Sequence, residues 1–108
     1  MSRQWIEETL ASLTLEEKIG QLVMTSCFDL SKGGVKAYAD KLKKYPMGGV
    51  FLFFGTQQHL SWVVNTLQKE RKVPLLMGCD YENGAGYIVA NATRFFSPSL
   101  SSRGGVCS

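Results

Sequence analysis

The sequence predicts an α/β fold with a parallel sheet, and three observations lead to that expectation. Three short apolar segments start near residues 21, 49 and 75, so they are 28 and 26 residues apart. Segments with the periodicity of an amphipathic helix lie between them. The central apolar segment, 50–54, has no polar alternation, which is typical of a strand covered on both faces. Alternating units of this length predict right-handed βαβ crossovers and a parallel sheet.

The length of the chain limits how much of such a fold it can hold. With 108 residues, of which 44% are hydrophobic, the chain can form one domain with a core. Eight units of this size would need about 220 residues, which is the size of a TIM barrel. Because only three strands are predicted, we expect a partial (β/α)8 barrel that comprises about the first three β/α units of something larger.

The first part of the chain predicts two short helices and a strand. A helix over 3–12 follows from the spacing of its apolar side chains. Thr14 and Glu17 then match a capping box, in which each side chain accepts a hydrogen bond from the other residue's N–H, so a second helix is expected over 15–20. The apolar segment 21–28 is expected to be a buried strand.

The middle of the chain predicts two longer helices. Gly33-Gly34 is expected to interrupt the chain, and an amphipathic helix should begin at Val35 and end before Pro46. Thr56 is a candidate N-cap for the next helix. The apolar stripe of that helix comprises Leu60, Val63, Val64 and Leu67. The third apolar segment, 75–79, completes the alternation.

Charge and hydropathy exclude two classes of partner. Twelve Lys and Arg against nine Asp and Glu give a formal net charge of +3, and the basic residues at 36–44 and 69–72 have the spacing of solvated helix faces. We therefore expect no nucleic-acid partner. The longest apolar run has five residues, far below the roughly 20 of a membrane span, so no membrane partner is expected. The N-terminus lacks a signal-peptide pattern, which favours a cytoplasmic location.

The cysteines and the single histidine do not predict a metal site or a cofactor. Cys27, Cys79 and Cys107 form no CxxC pair, and free, mostly buried thiols suit a reducing compartment. His59 is expected on the surface of a helix. A zinc site normally takes four ligands at characteristic spacings, and this set does not provide them.

The carboxyl end of the third predicted strand has the residues best suited to chemistry. Asp80 and Glu82 are two apart, so in an extended backbone they point to one side, with Cα atoms roughly 6.6 Å apart. Asn83-Gly84 and Gly86 allow a sharp turn. The two carboxylates could act as acid and base, hold a hard cation, or accept hydrogen bonds from sugar hydroxyls. The alternative is a polar loop that only caps the strand.

Three segments in order extend this interpretation. They are 13–22, 48–53 and 74–84, the last of which contains Asp80-Tyr81-Glu82-Asn83-Gly84. Together they resemble the start of the N-terminal barrel domain of glycoside hydrolase family 3, on the branch of β-N-acetylhexosaminidases and β-glucosidases. The resemblance covers residues from about 5 to 98. We therefore expect 1–98 to be a fragment of such a barrel and 99–108 to be an irregular tail that does not continue it.

The resemblance implies a retaining exo-glycosidase that removes a terminal β-linked sugar. Its substrate would be a β-N-acetylglucosaminide or a β-glucoside. In the family the aspartate that matches Asp80 binds hydroxyls of that sugar, and the resemblance implies that Glu82 orders the loop. A common form of the motif has two glycines and an arginine after the glutamate, whereas this chain has Asn83, Gly84 and Ala85. The family's nucleophile and acid/base lie in later segments, so no catalytic residue is expected in this chain, which alone should be inactive.

Two alternatives come from other functional classes. The chain could be a small stand-alone α/β module that binds a sugar without catalysis. It could also be an assembly module, because the unpaired edges of a three-stranded sheet favour self-association with another chain. The first alternative predicts a compact monomer that unfolds cooperatively.

Overall fold

A computed structural model describes residues 2–69 and 71–95, so Phe96, Cys107 and the predicted tail 99–108 lie outside the described residues. The helices are α1 (Arg3–Ser12), α2 (Leu15–Gly20), α3 (Lys32–Lys44) and α4 (Gln57–Gln68). The strands are β1 (Met24–Ser26), β2 (Gly49–Phe51), β3 (Gly55–Thr56), β4 (Leu76–Gly78) and β5 (Val89–Ala90), with a 3-10 turn at Ala85–Tyr87. In these described ranges, no helix combines the length and apolar character needed to cross a bilayer.

The main sheet has three parallel strands in the order β1-β2-β4, which confirms the α/β prediction with a parallel sheet. Thr25, Val50 and Met77 are aligned across it. A second, two-stranded parallel sheet pairs β3 with β5, and the sequence did not predict it. Strands of two residues are too short to show any hydrophobic period.

Helices α3 and α4 contact each other and cover one face of the main sheet. Val50 is fully buried beneath them, and the Thr25 hydroxyl is hydrogen-bonded to the Tyr38 hydroxyl on α3. The buried core on this side comprises Cys27, Val35, Leu42, Val50, Leu52, Val63, Leu67 and Leu75. Burial raises the pKa of the Cys27 thiol.

The opposite face of the main sheet is open in the described part of the chain. A Cβ built on Gly49 or Gly78 would meet the Met24 side chain, and one on Gly78 would also meet Phe51, so these residues share that face. Leu76 is 69% exposed there. The expectation that 50–54 is covered on both faces is therefore wrong for the described chain. The strand order advances in one direction, so both crossover helices lie on the same side.

The predicted helix caps are confirmed. The Glu17 N–H donates to the Thr14 hydroxyl at 3.2 Å, and the Thr14 N–H donates to the Glu17 carboxylate at 2.8 Å. The hydrogen bond from the Thr14 N–H to the Glu17 carboxylate, together with one from the Lys72 ammonium, lowers the pKa of Glu17. The Thr56 hydroxyl accepts from the His59 N–H at 3.2 Å and begins α4.

Two predicted boundaries are wrong for identifiable reasons. Residues 21–22 form a turn, with Leu22 88% exposed, so β1 begins only at Met24. Gly33-Gly34 does not interrupt the chain but lies in the first turn of α3, where Gly34 donates to the N-cap hydroxyl of Ser31. A Cβ on Gly34 would lie 2.5 Å from the Asp29 carbonyl oxygen, so glycine is needed there for close packing.

We expect Leu67→Ala to lower the free energy of unfolding by about 2–4 kcal/mol, because it leaves a cavity beneath α4. The matched control Leu22→Ala removes the same atoms from an exposed turn and should change it by less than about 0.5 kcal/mol. Urea denaturation followed by circular dichroism measures both. Equal effects of the two substitutions would contradict this core.

Candidate functional site

The carboxyl ends of β1, β2 and β4 meet at one edge of the main sheet, because the three strands are parallel. Phe28 and Asp29 follow β1, Phe53 and Phe54 follow β2, and Asp80 follows β4. In parallel α/β folds this edge is where ligands usually bind.

Asp80 and Glu82, the predicted site residues, are both exposed at this edge. Strand β4 ends at Gly78, and the Gly84 N–H donates to the Tyr81 carbonyl at 2.8 Å, which closes a turn around Glu82. The sequence predicts an extended backbone from Asp80 to Glu82, but this turn ends the extended segment at Tyr81. Neither carboxylate forms a hydrogen bond or ion pair with any other described residue, so each is available as an acceptor toward solvent.

The loop that follows Asp80 is held by its own backbone. The Phe95 N–H donates to the Asn83 carbonyl at 2.9 Å, and the Gly86 N–H donates to the Thr93 carbonyl at 2.7 Å. Gly84 has φ +82°, and a Cβ there would lie 2.6 Å from Phe95 Cδ2. Only glycine fits this conformation and this contact without strain. The buried Asn83 Oδ1 has no hydrogen-bond partner among the described residues.

A side-chain hydrogen bond with Cys79, together with burial, raises the pKa of Tyr81. Cys79 is half-buried rather than buried, and with Met77 it lines a cavity of about 440 Å³ between α4 and the loop. The cavity wall is mainly apolar, with amide and hydroxyl groups from α4. Among the described residues no basic side chain forms a hydrogen bond or ion pair with the Cys79 thiol, so none is placed to activate it as a nucleophile.

An aromatic ladder crosses the carboxyl end of β1 and β2. The Phe28 and Phe53 rings are stacked with centroids 5.1 Å apart and planes at 14°, and Phe53 and Phe51 are 5.2 Å apart. Phe28 is 79% exposed, so the ladder presents apolar surface beside the polar loop. The sequence showed these aromatics only as part of apolar runs.

Two hydrogen bonds hold the loop between β1 and α3. The Asp29 carboxylate accepts from the Ser31 N–H at 2.9 Å, and hydrogen bonds from Ser31 lower the pKa of Asp29. The His59 ring Nε2 donates to the Leu30 carbonyl at 2.7 Å, and the ring stacks on Trp62. His59 is thus half-buried and joins α4 to this loop, which corrects its expected place on the helix surface.

A second aromatic contact was not predicted. Phe54 and Tyr87 meet edge to face with centroids 5.5 Å apart, and the Arg94 guanidinium lies 5.8 Å above the Tyr87 ring. These residues are distant in sequence and come together only through the β3–β5 pairing. Within residues 2–69 and 71–95, no group of three or more His, Cys, Asp or Glu side chains is placed to hold a metal ion.

Comparison with curated proteins finds a β-N-acetylglucosaminidase/β-glucosidase of Cellulomonas fimi that is 33% identical over 89 residues. The match covers 82% of this chain and 15% of that protein, so the chain spans less than a sixth of this relative's length. No model of a protein family matches the chain. The chain is therefore similar to part of a glycosidase.

We expect Gly84→Ala to destabilise the Asp80 loop by about 1–3 kcal/mol, because alanine is strained at this positive φ and meets Phe95. Hydrogen exchange of the Gly86 and Phe95 amides, whose hydrogen bonds close the loop, should accelerate.

The matched control is Gly33→Ala in the first turn of α3, where a Cβ meets nothing within 4 Å. It should leave those amides unchanged and stabilise the helix by at most about 1 kcal/mol. Unaltered exchange in Gly84→Ala would show that the loop does not depend on this glycine.

Proposed function

We propose that this chain forms the opening β/α units of a family 3 glycoside hydrolase that removes terminal β-linked N-acetylglucosamine or glucose. The observation that carries the proposal is Asp80, an exposed carboxylate without a described protein partner at the carboxyl edge of a parallel sheet. The similarity to the Cellulomonas fimi enzyme and the motif 80–84 support the same conclusion.

The arrangement of layers supports a barrel rather than a doubly wound sheet. In a (β/α)8 barrel all helices lie outside, and the inner strand faces pack their side chains against one another. Helices α3 and α4 share one face of the main sheet. The open face has the apolar side chains of Met24, Phe51 and Leu76. In the proposed barrel this apolar face is directed toward the interior and is covered by strands from outside these 108 residues.

In the proposed site Asp80 accepts hydrogen bonds from neighbouring hydroxyls of the terminal sugar. A carboxylate has two oxygens and can accept from both hydroxyls at once, and such charge-assisted bonds are short and strong. The Glu82 carboxylate faces solvent, so in this proposal Glu82 contributes to the order of the loop through its backbone, inside the turn that closes at Gly84. The turn at Gly84 and the Phe95–Asn83 hydrogen bond keep Asp80 in place.

The hydrolysis itself requires groups from elsewhere. A retaining glycosidase uses a nucleophilic carboxylate and a separate acid/base about 5 Å away, on either side of the bond that breaks. Asp80 and Glu82 are assigned to binding and loop order, so the nucleophile and the acid/base belong to segments outside these 108 residues. The 108-residue chain alone should not hydrolyse glycosides.

Asp80→Asn tests this assignment, because it removes the charge but keeps the shape. In the intact gene product from the source cells, kcat/KM for 4-nitrophenyl β-N-acetylglucosaminide and β-glucoside should fall about 10- to 100-fold for the better substrate. Glu82→Gln should have a smaller effect. The measurement is release of 4-nitrophenol.

The matched control is Asp40→Asn, an exposed aspartate on α3 that lies away from the sheet edge. It should leave kcat/KM unchanged. Equal activity of Asp80→Asn and Asp40→Asn would contradict the role of Asp80, and hydrolysis by the 108-residue chain alone would contradict the placement of the catalytic pair.

The open face of the main sheet also favours a second function, in which the chain assembles with another copy and has no catalytic role. Within the described part of the chain, strands β1 and β4 each pair on one side only, and the exposed Leu76 lies on β4. On this interpretation the 108-residue chain forms oligomers as its concentration rises.

Light scattering after size exclusion measures that association. Leu76→Lys should abolish it, because a charge on β4 opposes the burial of this surface. Leu22→Lys places the same charge on an exposed turn outside the sheet and should not. A monomer at all concentrations would rule out the assembly function.

A further inference from the structure

A cavity at the carboxyl edge of the sheet lies beside the Asp80 loop and has no role in the function proposed above. It has a volume of about 580 Å³, and its wall includes Phe54, Thr56, Tyr87 and Arg94. Ligand pockets commonly have 300–1,000 Å³, so the space is large enough for one sugar ring. The remaining wall consists of small or aliphatic residues, including Gly55 and Gly86.

Backbone pairing places the two aromatic rings of this cavity. Gly55 aligns with Val89 in the β3–β5 sheet, and the Gly55 N–H donates to the Ile88 carbonyl at 3.0 Å. Phe54 and Tyr87, which immediately precede these paired segments, therefore meet edge to face. Phe54 is 61% exposed, so most of its apolar surface is accessible to a ligand. Aromatic rings of this kind stack on the C–H face of a sugar.

Arg94 gives the cavity its positive charge. Its guanidinium lies over the Tyr87 ring and forms no hydrogen bond or ion pair with the described residues. A Cβ on Gly86 would lie 2.5 Å from Arg94 Cγ, so the glycine makes room for this side chain. None of the described residues that line the cavity is acidic. A guanidinium has five N–H donors in a fixed planar fork, and a carboxylate can accept two of them side by side.

We propose that the cavity formed by Phe54, Tyr87 and Arg94 binds a sugar ring that has a carboxylate group. Stacking on the rings selects the sugar, and a bidentate pair with Arg94 selects the acidic group. The inference rests on the proposed function in one respect. It assigns this sugar to the part of the substrate that is linked to the terminal sugar at Asp80, since both sites lie at the same edge of the sheet.

Two ligands of the same size test the charge requirement. Methyl β-D-glucuronide has a carboxylate where methyl β-D-glucoside has a hydroxymethyl group. Titration of the ¹⁵N-labelled 108-residue chain should give saturable shifts of the Gly55 and Gly86 amides, with the glucuronide binding at least about tenfold more tightly than the glucoside.

Arg94→Gln should reduce glucuronide affinity to that of the glucoside and leave glucoside affinity unchanged. Tyr87→Phe retains the ring and should bind both sugars as the parent chain does. Lys36→Gln removes an exposed cation on α3 and should change neither affinity. The spectrum of each variant without ligand shows whether it is folded. Arg94→Lys is a second variant that keeps the positive charge but lacks the planar N–H donors of the guanidinium, and it should lose part of the glucuronide affinity.

Three results would overturn the inference: equal affinity for the two sugars, undiminished glucuronide binding by Arg94→Gln, or no shift at Gly55 and Gly86. The outcome is separable from that of the proposed function. Asp80→Asn should leave these shifts of the 108-residue chain intact while it lowers hydrolysis by the intact gene product. Glucuronide binding by the chain together with an intact gene product that hydrolyses neither glycoside would contradict only the proposed function.

Discussion

The parallel pairing of β2 with a strand on each side is the constraint on which the rest of the structure depends. Val50, at the centre of β2, is fully buried and aligned with Thr25 and Met77. Both crossovers move along the sheet in one direction, so α3 and α4 lie on the same side of it. There the two helices bury Val50. The same pairing leaves the other face, with Met24 and Phe51, without a covering layer in the described chain.

Parallel strands also bring three loops to one edge, although the loops are far apart in the sequence. Each loop is fixed by a different contact: Asp29 with the Ser31 N–H, Thr56 as the cap of α4, and Gly84 in the turn that follows Asp80. Asp29 is used to hold its own loop, whereas the carboxylates of Asp80 and Glu82 form no hydrogen bond or ion pair with the described residues. They are therefore available to a ligand, which is the condition that a binding edge must meet.

Glycines determine how closely these loops pack. At Gly34 a side chain would meet the Asp29 carbonyl, and at Gly84 a side chain would meet Phe95 while the backbone holds φ at +82°. Gly86 leaves room for Arg94 against the Tyr87 ring. The sequence identified Gly84 and Gly86 as turn residues, but which side chains they admit depends on contacts with residues 93–95, and no local pattern reveals such contacts.

Local interactions were determined by the sequence itself. The capping box of Thr14 and Glu17, the Thr56 cap and the helical stripe of α4 each involve residues three or four apart, so their pattern is visible in the local sequence. The βαβ alternation likewise predicted a parallel sheet. Only the tertiary structure decided that Gly33-Gly34 belongs to α3, that His59 holds Leu30, and that Phe54, Tyr87 and Arg94 meet. His59 and Leu30 are 29 residues apart and Phe54 and Tyr87 are 33 apart, so these partners meet only once the strands have paired. Arg94 reaches Tyr87 through the turn of the Asp80 loop, and the place of Gly34 depends on Asp29 packed against it.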